Sequence, residues 1–147
     1  MKLLKTMLYF IVAVLATFLL ASIVGTQLVL ADIQGFGLLV SSSDRVAATM
    51  HDIAGLATML PILISVTFLL AFIIAESGRR IMAGKRTYWY MAAGLASLPA
   101  ALTLIKTLMG GTVFAAARTD SGMLLIAFCG LIGGWLFARL VNRGKAE

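Results

Sequence analysis

His51 is the only histidine in the chain, Asp52 follows it directly, and Asp44 stands seven residues upstream. Seven residues make about two helical turns, so on a helix Asp44 and His51 lie close to one face. An imidazole beside carboxylates can carry a proton or join a metal site. One His with two Asp completes no familiar ligand spacing, however, and no second His and no cysteine cluster extends it. A hydrogen-bonded group at a helix entrance is the simpler reading. A haem held by two histidines of one chain is excluded by the histidine count, and no cofactor is expected.

Lys106 is the other residue whose type and place demand an explanation, because a cation in an apolar run needs water, a partner or a function. It sits near the end of its run and can snorkel outward or pair inside a bundle. Gln27, His51 with Asp52, Lys106, and Arg118 with Asp120 fall at similar depths of four successive apolar runs. Together with Asp44 they form either an outward-facing polar pocket or a solvated helix rim. Ser41, Ser42 and Ser43 precede His51 and Asp52 but lack a nucleophile elbow, and they serve better as turn and cap residues. No Walker loop, GxGxxG, HExxH or paired intramembrane carboxylates occur. An enzyme is not expected. Cys129 stands alone within an apolar run and reads as a small packing residue.

The elements that must position these groups are four apolar runs, about residues 7–30, 53–75, 88–110 and 122–141. Each approaches the roughly 20 residues that carry a helix across the hydrocarbon layer. With 61% hydrophobic and 12% charged residues and a mean hydropathy of +1.04, the 147-residue chain has more apolar surface than a soluble core of this size can absorb. Inside a bilayer the backbone must satisfy itself, and runs without polar alternation do so as helices. The expected fold is an all-α integral membrane protein, one domain over 1–147, forming an antiparallel bundle of four transmembrane helices.

Orientation follows from the basic residues. Lys2, Lys5, Arg79, Arg80, Lys85, Arg86, Arg139, Arg143 and Lys145 fall on one side of the four runs. Arg45, Lys106 and Arg118 fall on the other, among Asp32, Asp44, Asp52 and Asp120. The positive-inside rule places both termini and the 76–87 connection in the cytoplasm. Tyr88, Trp89 and Tyr90 suit an aromatic anchor at that interface. The net charge of +6 then sets topology and attracts anionic headgroups, so the lipid bilayer is the expected partner and nucleic acid is not. Lys2 and Lys5 ahead of an apolar run, with Val29-Leu30-Ala31 before Asp32, also resemble a signal peptide. That run exceeds the usual core of about 7–15 residues and is interrupted at Gly25, Thr26 and Gln27, which favours a retained span.

The outer loop, residues 31–52, is the longest stretch outside the runs. Its serines and Asp44 can cap a short outer-face helix leading into the second span. Pro61 and Pro99 lie within runs, where each can kink its helix and leave a carbonyl, of Ala57 or Leu95, without its donor. Gly130 and Gly134 form a GxxxG, with Gly133 between them, and Ala92, Ala93, Gly94, Ala96 and Ser97 make the third run narrow. Such residues let backbones approach closely, either within the bundle or against a homodimer or a larger membrane complex.

In span count and size the chain resembles short bacterial inner-membrane proteins, a likeness of layout that brings no motif. The expected home is the bacterial cytoplasmic membrane. The expected role is a non-enzymatic accessory or scaffold subunit acting through helix contacts. The alternative is a small-molecule or ion-binding protein, or an oligomeric minimal transporter, built on the outer polar pocket.

Overall fold

Five α-helices and one short 3₁₀ turn account for nearly all of the backbone in the computed structural model, which describes residues 2–82, 84–111 and 114–144, with the side chains of Lys2 and Met109 left aside. Lys145 lies outside the described residues. Helix α1 spans Lys2–Gly35, α2 Ser42–Leu56, α3 Met59–Ile81, α4 Arg86–Met109 and α5 Asp120–Arg143, with the 3₁₀ turn at Ala115–Arg118. Four of these, all but α2, are long and apolar enough to cross a membrane.

The long helices close into a ring in which α5 packs between α1 and α4, and α3 between α4 and α1. Ring neighbours are antiparallel. Tyr90 and Gly94 of α4 meet Gly134 and Gly130 of α5 in reversed order, and Phe10 and Thr17 of α1 meet Phe137 and Gly133 of α5 the same way. The short connection from Ile81 to Arg86 and the reversal between α4 and α5 make this order natural. Lys5, Arg79, Arg80, Arg86, Arg139 and Arg143 therefore gather at one end of the bundle, hereafter the basic end. The α1–α2 connection and the 3₁₀ turn occupy the far end.

Periodicity decides which face each helix buries. On α3 the buried residues are Leu60, Ile64, Phe68, Phe72 and Ala75, a stripe that returns about every turn. At the basic end Phe72 stacks on Phe137 at 4.7 Å between ring centroids, and Tyr90 stands edge-on to both at 5.1 Å. Between helices as apolar as these, close packing of such side chains supplies the contact energy.

The helix boundaries have physical causes. Helix α1 is 34 residues long, about 50 Å, so it overshoots a hydrocarbon layer of about 30 Å and continues through Gly35 into the stretch read as loop. Gly37, at φ +83°, then turns the chain. The short helix expected ahead of the second run is present as α2, opened by a capping box of Ser41 with Asp44. It leads into the next long helix through a two-residue interruption at Ala57 and Thr58, and α3 starts at Met59. Pro61 supplies the reason, having no N–H for the Ala57 carbonyl and a ring that crowds it. Pro61 thus lies in the first turn of α3 and interrupts the hydrogen-bond ladder at the α2–α3 junction, while Ala57 and Thr58 keep right-handed helical dihedrals. Only Pro99 lies deep within a long helix.

Candidate functional site

At the far end, α2 folds back along the last turns of α1, and polar side chains join the two. The Thr26 hydroxyl lies 2.8 Å from Asp52 Oδ2 and 2.8 Å from the Ser22 carbonyl, so its one proton is shared between two acceptors. Gln27 donates to Thr49 Oγ1 at 3.2 Å, and its carbonyl accepts from Arg45 Nη1 at 2.6 Å. Arg45 also donates from Nη2 to Gln34 Oε1 at 2.6 Å. These contacts latch α2 in antiparallel register on α1. Beneath them lies a cavity of about 210 Å³ whose lining includes Ser22, Thr26, Asp52, Leu56 and Phe114. Ser22 is 1% exposed, and its hydroxyl has no hydrogen-bond partner among the described residues.

The seven residues read from sequence as an outer pocket divide accordingly. Gln27 and Asp52 sit at the α1–α2 seam. Asp44 is exposed and committed to the α2 cap, where Ser41 N–H donates to its Oδ2 at 3.0 Å and the Ser41 hydroxyl does so at 2.7 Å. Those bonds hold its carboxyl below the ordinary value, since they favour the charged form. His51, Lys106, Arg118 and Asp120 are exposed and do not line this cavity. Residues 114–118 close the end of the bundle, where Ala116 and Ala117 are buried and a Cβ added at Gly25 would meet the Phe114 ring at 2.7 Å.

The candidate packing face on α5 points into the bundle. A Cβ on Gly130 would collide with the Gly94 carbonyl oxygen, one on Gly134 with the Tyr90 carbonyl oxygen, and one on Gly133 with the Thr17 hydroxyl and the Phe68 ring. All three glycines are buried against helices of the same chain. An outward small-residue surface exists instead on α4. Ala92, Ala96 and Ala100 are exposed at spacings of four, and with Ala71 and Ile74 of α3 they border an open furrow of about 470 Å³.

The basic end joins Arg79, Arg80, Arg86 and Tyr90, which the sequence offered only as orientation and anchor signals, around the carboxylate of Glu76. Arg79 grips Glu76 with two donors, Nη2 to Oε1 at 2.7 Å and Nε to Oε2 at 3.1 Å. The Tyr90 hydroxyl donates to Oε2 at 3.2 Å, Arg86 Nη2 lies 3.5 Å from the same oxygen, and Arg80 Nε lies 3.8 Å from Oε1. Three guanidinium groups thus surround one carboxylate. Arg86 also lies over the Tyr90 ring at 5.3 Å, and its Nε and Nη1 are buried with no partner among the described residues. Glu76 continues the buried α3 stripe one turn beyond Phe72, and that register was the available signal. Comparison with known proteins adds no template. No family model, curated protein or solved structure matches this chain. Among the described residues no group of three or more His, Cys, Asp or Glu side chains could hold a metal ion.

Proposed function

We propose that this is a non-enzymatic, multi-pass protein of the bacterial cytoplasmic membrane, with both termini cytoplasmic, serving as an accessory or scaffold subunit that seats a further transmembrane helix. The observation that carries the reading is the mismatch on α4. It is the least apolar of the four long helices and also the least enclosed, with 17% of its most apolar stretch buried against 50% for α5. A helix facing lipid gains little from alanine, whereas a furrow of alanines lets a second helix approach closely and recover dispersion contacts. The glycines of α5 hold the bundle together and leave the α4 face for a partner.

Site-directed cross-linking in native membranes tests this. In a Cys129→Ala background, Ala96→Cys should give a discrete cross-linked adduct and Leu19→Cys, on the exposed face of α1, should not. Ala96→Leu with Ala100→Leu should release the partner while the bundle stays folded. Equal labelling at both cysteines, or an association indifferent to the leucines, counts against the reading.

The alternative of an ion- or small-molecule-binding protein is favoured by one observation, the far-end cavity. Its Ser22 hydroxyl is unpartnered and its Asp52 carboxylate has no ion-pair partner among the described residues. On that reading Asp52→Asn abolishes retention of a ligand in native mass spectrometry and Lys106→Ala does not. Retention unchanged in Asp52→Asn would remove the alternative.

A further inference from the structure

At the basic end, α1 and α3 part and leave a groove of about 560 Å³, a volume within the range of roughly 300–1,000 Å³ typical of small-molecule sites. Its polarity is graded along the helices. Ile11 and Leu69 border the deep part, Phe10 and Ile73 the middle, and Ser77 and Arg80 the mouth. Ile11, Leu69 and Ile73 are each half exposed or more, so the groove opens sideways, where a bilayer would lie.

The mouth carries excess positive charge. Among the described residues Glu76 is the one carboxylate there, and Arg79 occupies it through two hydrogen bonds while Arg86 and Tyr90 also contact it. Arg80 approaches Glu76 only through Nε at 3.8 Å, and its side chain is 75% exposed. Its terminal nitrogens therefore face the groove mouth and solvent with capacity to bind an anion. A guanidinium matches two phosphate oxygens at once.

We propose that this groove is a binding site for one anionic phospholipid of the surrounding bilayer, with an acyl chain against Phe10, Ile11, Leu69 and Ile73 and the phosphate at Arg80. Charge and shape together select this occupant. A transmembrane helix would need small residues on the walls, as in the α3–α4 furrow, whereas these walls are large side chains ending in a cation. A soluble anion would have no use for the apolar wall. Basic pockets between helices at the cytoplasmic interface are a recognised physical setting for acidic headgroups. The inference rests on membrane residence and on the basic end facing the cytoplasmic leaflet, and it is independent of any partner helix.

The test uses the full chain, purified in detergent, delipidated and mixed with equal amounts of phosphatidylglycerol and phosphatidylcholine for native mass spectrometry. One phosphatidylglycerol per chain should be retained in preference to phosphatidylcholine. Arg80→Gln should lower that retention about fivefold, the factor associated with one basic residue at an anionic surface. Lys85→Gln removes the same charge outside the groove and should change it by less than about twofold. Ile73→Trp, which fills the groove from its exposed edge, should displace the lipid, and Leu69→Trp serves if that variant does not fold. Equal retention of both lipids, or Lys85→Gln matching Arg80→Gln, overturns the proposal by showing diffuse surface attraction. Resistance of the native protein to carbonate extraction checks membrane residence separately, so loss of that premise is distinguishable from loss of the site.

Discussion

Adding a single methyl group at Gly130 should unseat α5 from α4. A Cβ there would fall well inside contact distance of the Gly94 carbonyl oxygen, 3.1 Å from its carbonyl carbon and 3.5 Å from Leu98 Cδ1. The reciprocal Cβ on Gly94 would meet the Gly130 carbonyl oxygen, with the Gly130 carbonyl carbon at 3.0 Å and Gly134 Cα at 3.2 Å. Nearly all of these atoms are backbone in helix interiors, so no side chain can swing aside and the helices must part by about 1 Å. A gap of that size forfeits roughly a quarter to a half of each dispersion well along the seam. Overpacking of this kind costs about 1–3 kcal/mol, which is the destabilisation expected for Gly130→Ala. Unfolding in mixed micelles of sodium dodecyl sulfate and a mild detergent measures it. The only two tryptophans, Trp89 and Trp135, adjoin Tyr90 and Gly134 and report on this contact by fluorescence. Gly55→Ala is the control, because a Cβ there meets nothing within 4 Å. It should be neutral or stabilise α2 by up to about 1 kcal/mol. A Gly130→Ala protein as stable as the parent would refute the argument and return the α5 glycines to consideration as a partner face.

Thr26→Val keeps the shape of the side chain and removes the hydroxyl that meets Asp52. It should destabilise the α1–α2 latch by about 1–2 kcal/mol in the same unfolding assay, and an unchanged midpoint would show that Asp52 draws its support elsewhere. Glu76→Gln leaves three guanidinium groups around a neutral amide and should cost about 1–2 kcal/mol. The loss should shrink in high salt, and a loss independent of salt would point to packing instead of charge. For Asp44 the folded carboxyl titrates below its ordinary value of 3.8 because Ser41 bonds the charged form. Its contribution to α2 is full above the unfolded value and is lost as the pH falls through the lower folded one. Ser41 amide shifts followed by NMR from pH 6 to pH 2 should show that step, and Asp44→Asn should abolish it.

Much of the far end was legible because its signals are local. Ser41 and Asp44 form a capping box at a spacing that sequence displays directly, and α2 follows from it. The break ahead of α3 was also written in the chain, since Pro61 must leave Ala57 without a donor. How α2 sits beyond that break depends on what holds it. The contacts of Thr26 and Gln27 with Asp52 and Thr49 decide it, at separations of 26 and 22 residues. His51 and Asp52 are adjacent in sequence and yet diverge, because neighbours on a helix point about 100° apart. Asp52 turns to α1 while His51 faces outward.

Sequence alone determined the four long apolar helices, the segregation of basic residues to one end and the small residues that permit close approach. Each of these depends on composition within one segment, on residue type or on a repeat of about one turn. Tertiary structure decided which small residues face inward. Gly130 and Gly134 are covered by Gly94 and Tyr90, whereas Ala92, Ala96 and Ala100 remain on the surface. It also decided that Glu76 joins Tyr90 and three arginines, and that α1 and α3 part beside them. The physical reason is the same in both cases. A helix carries small or charged residues on several faces at once, and only the azimuth at which it docks against its neighbours selects the face that becomes core, furrow or groove.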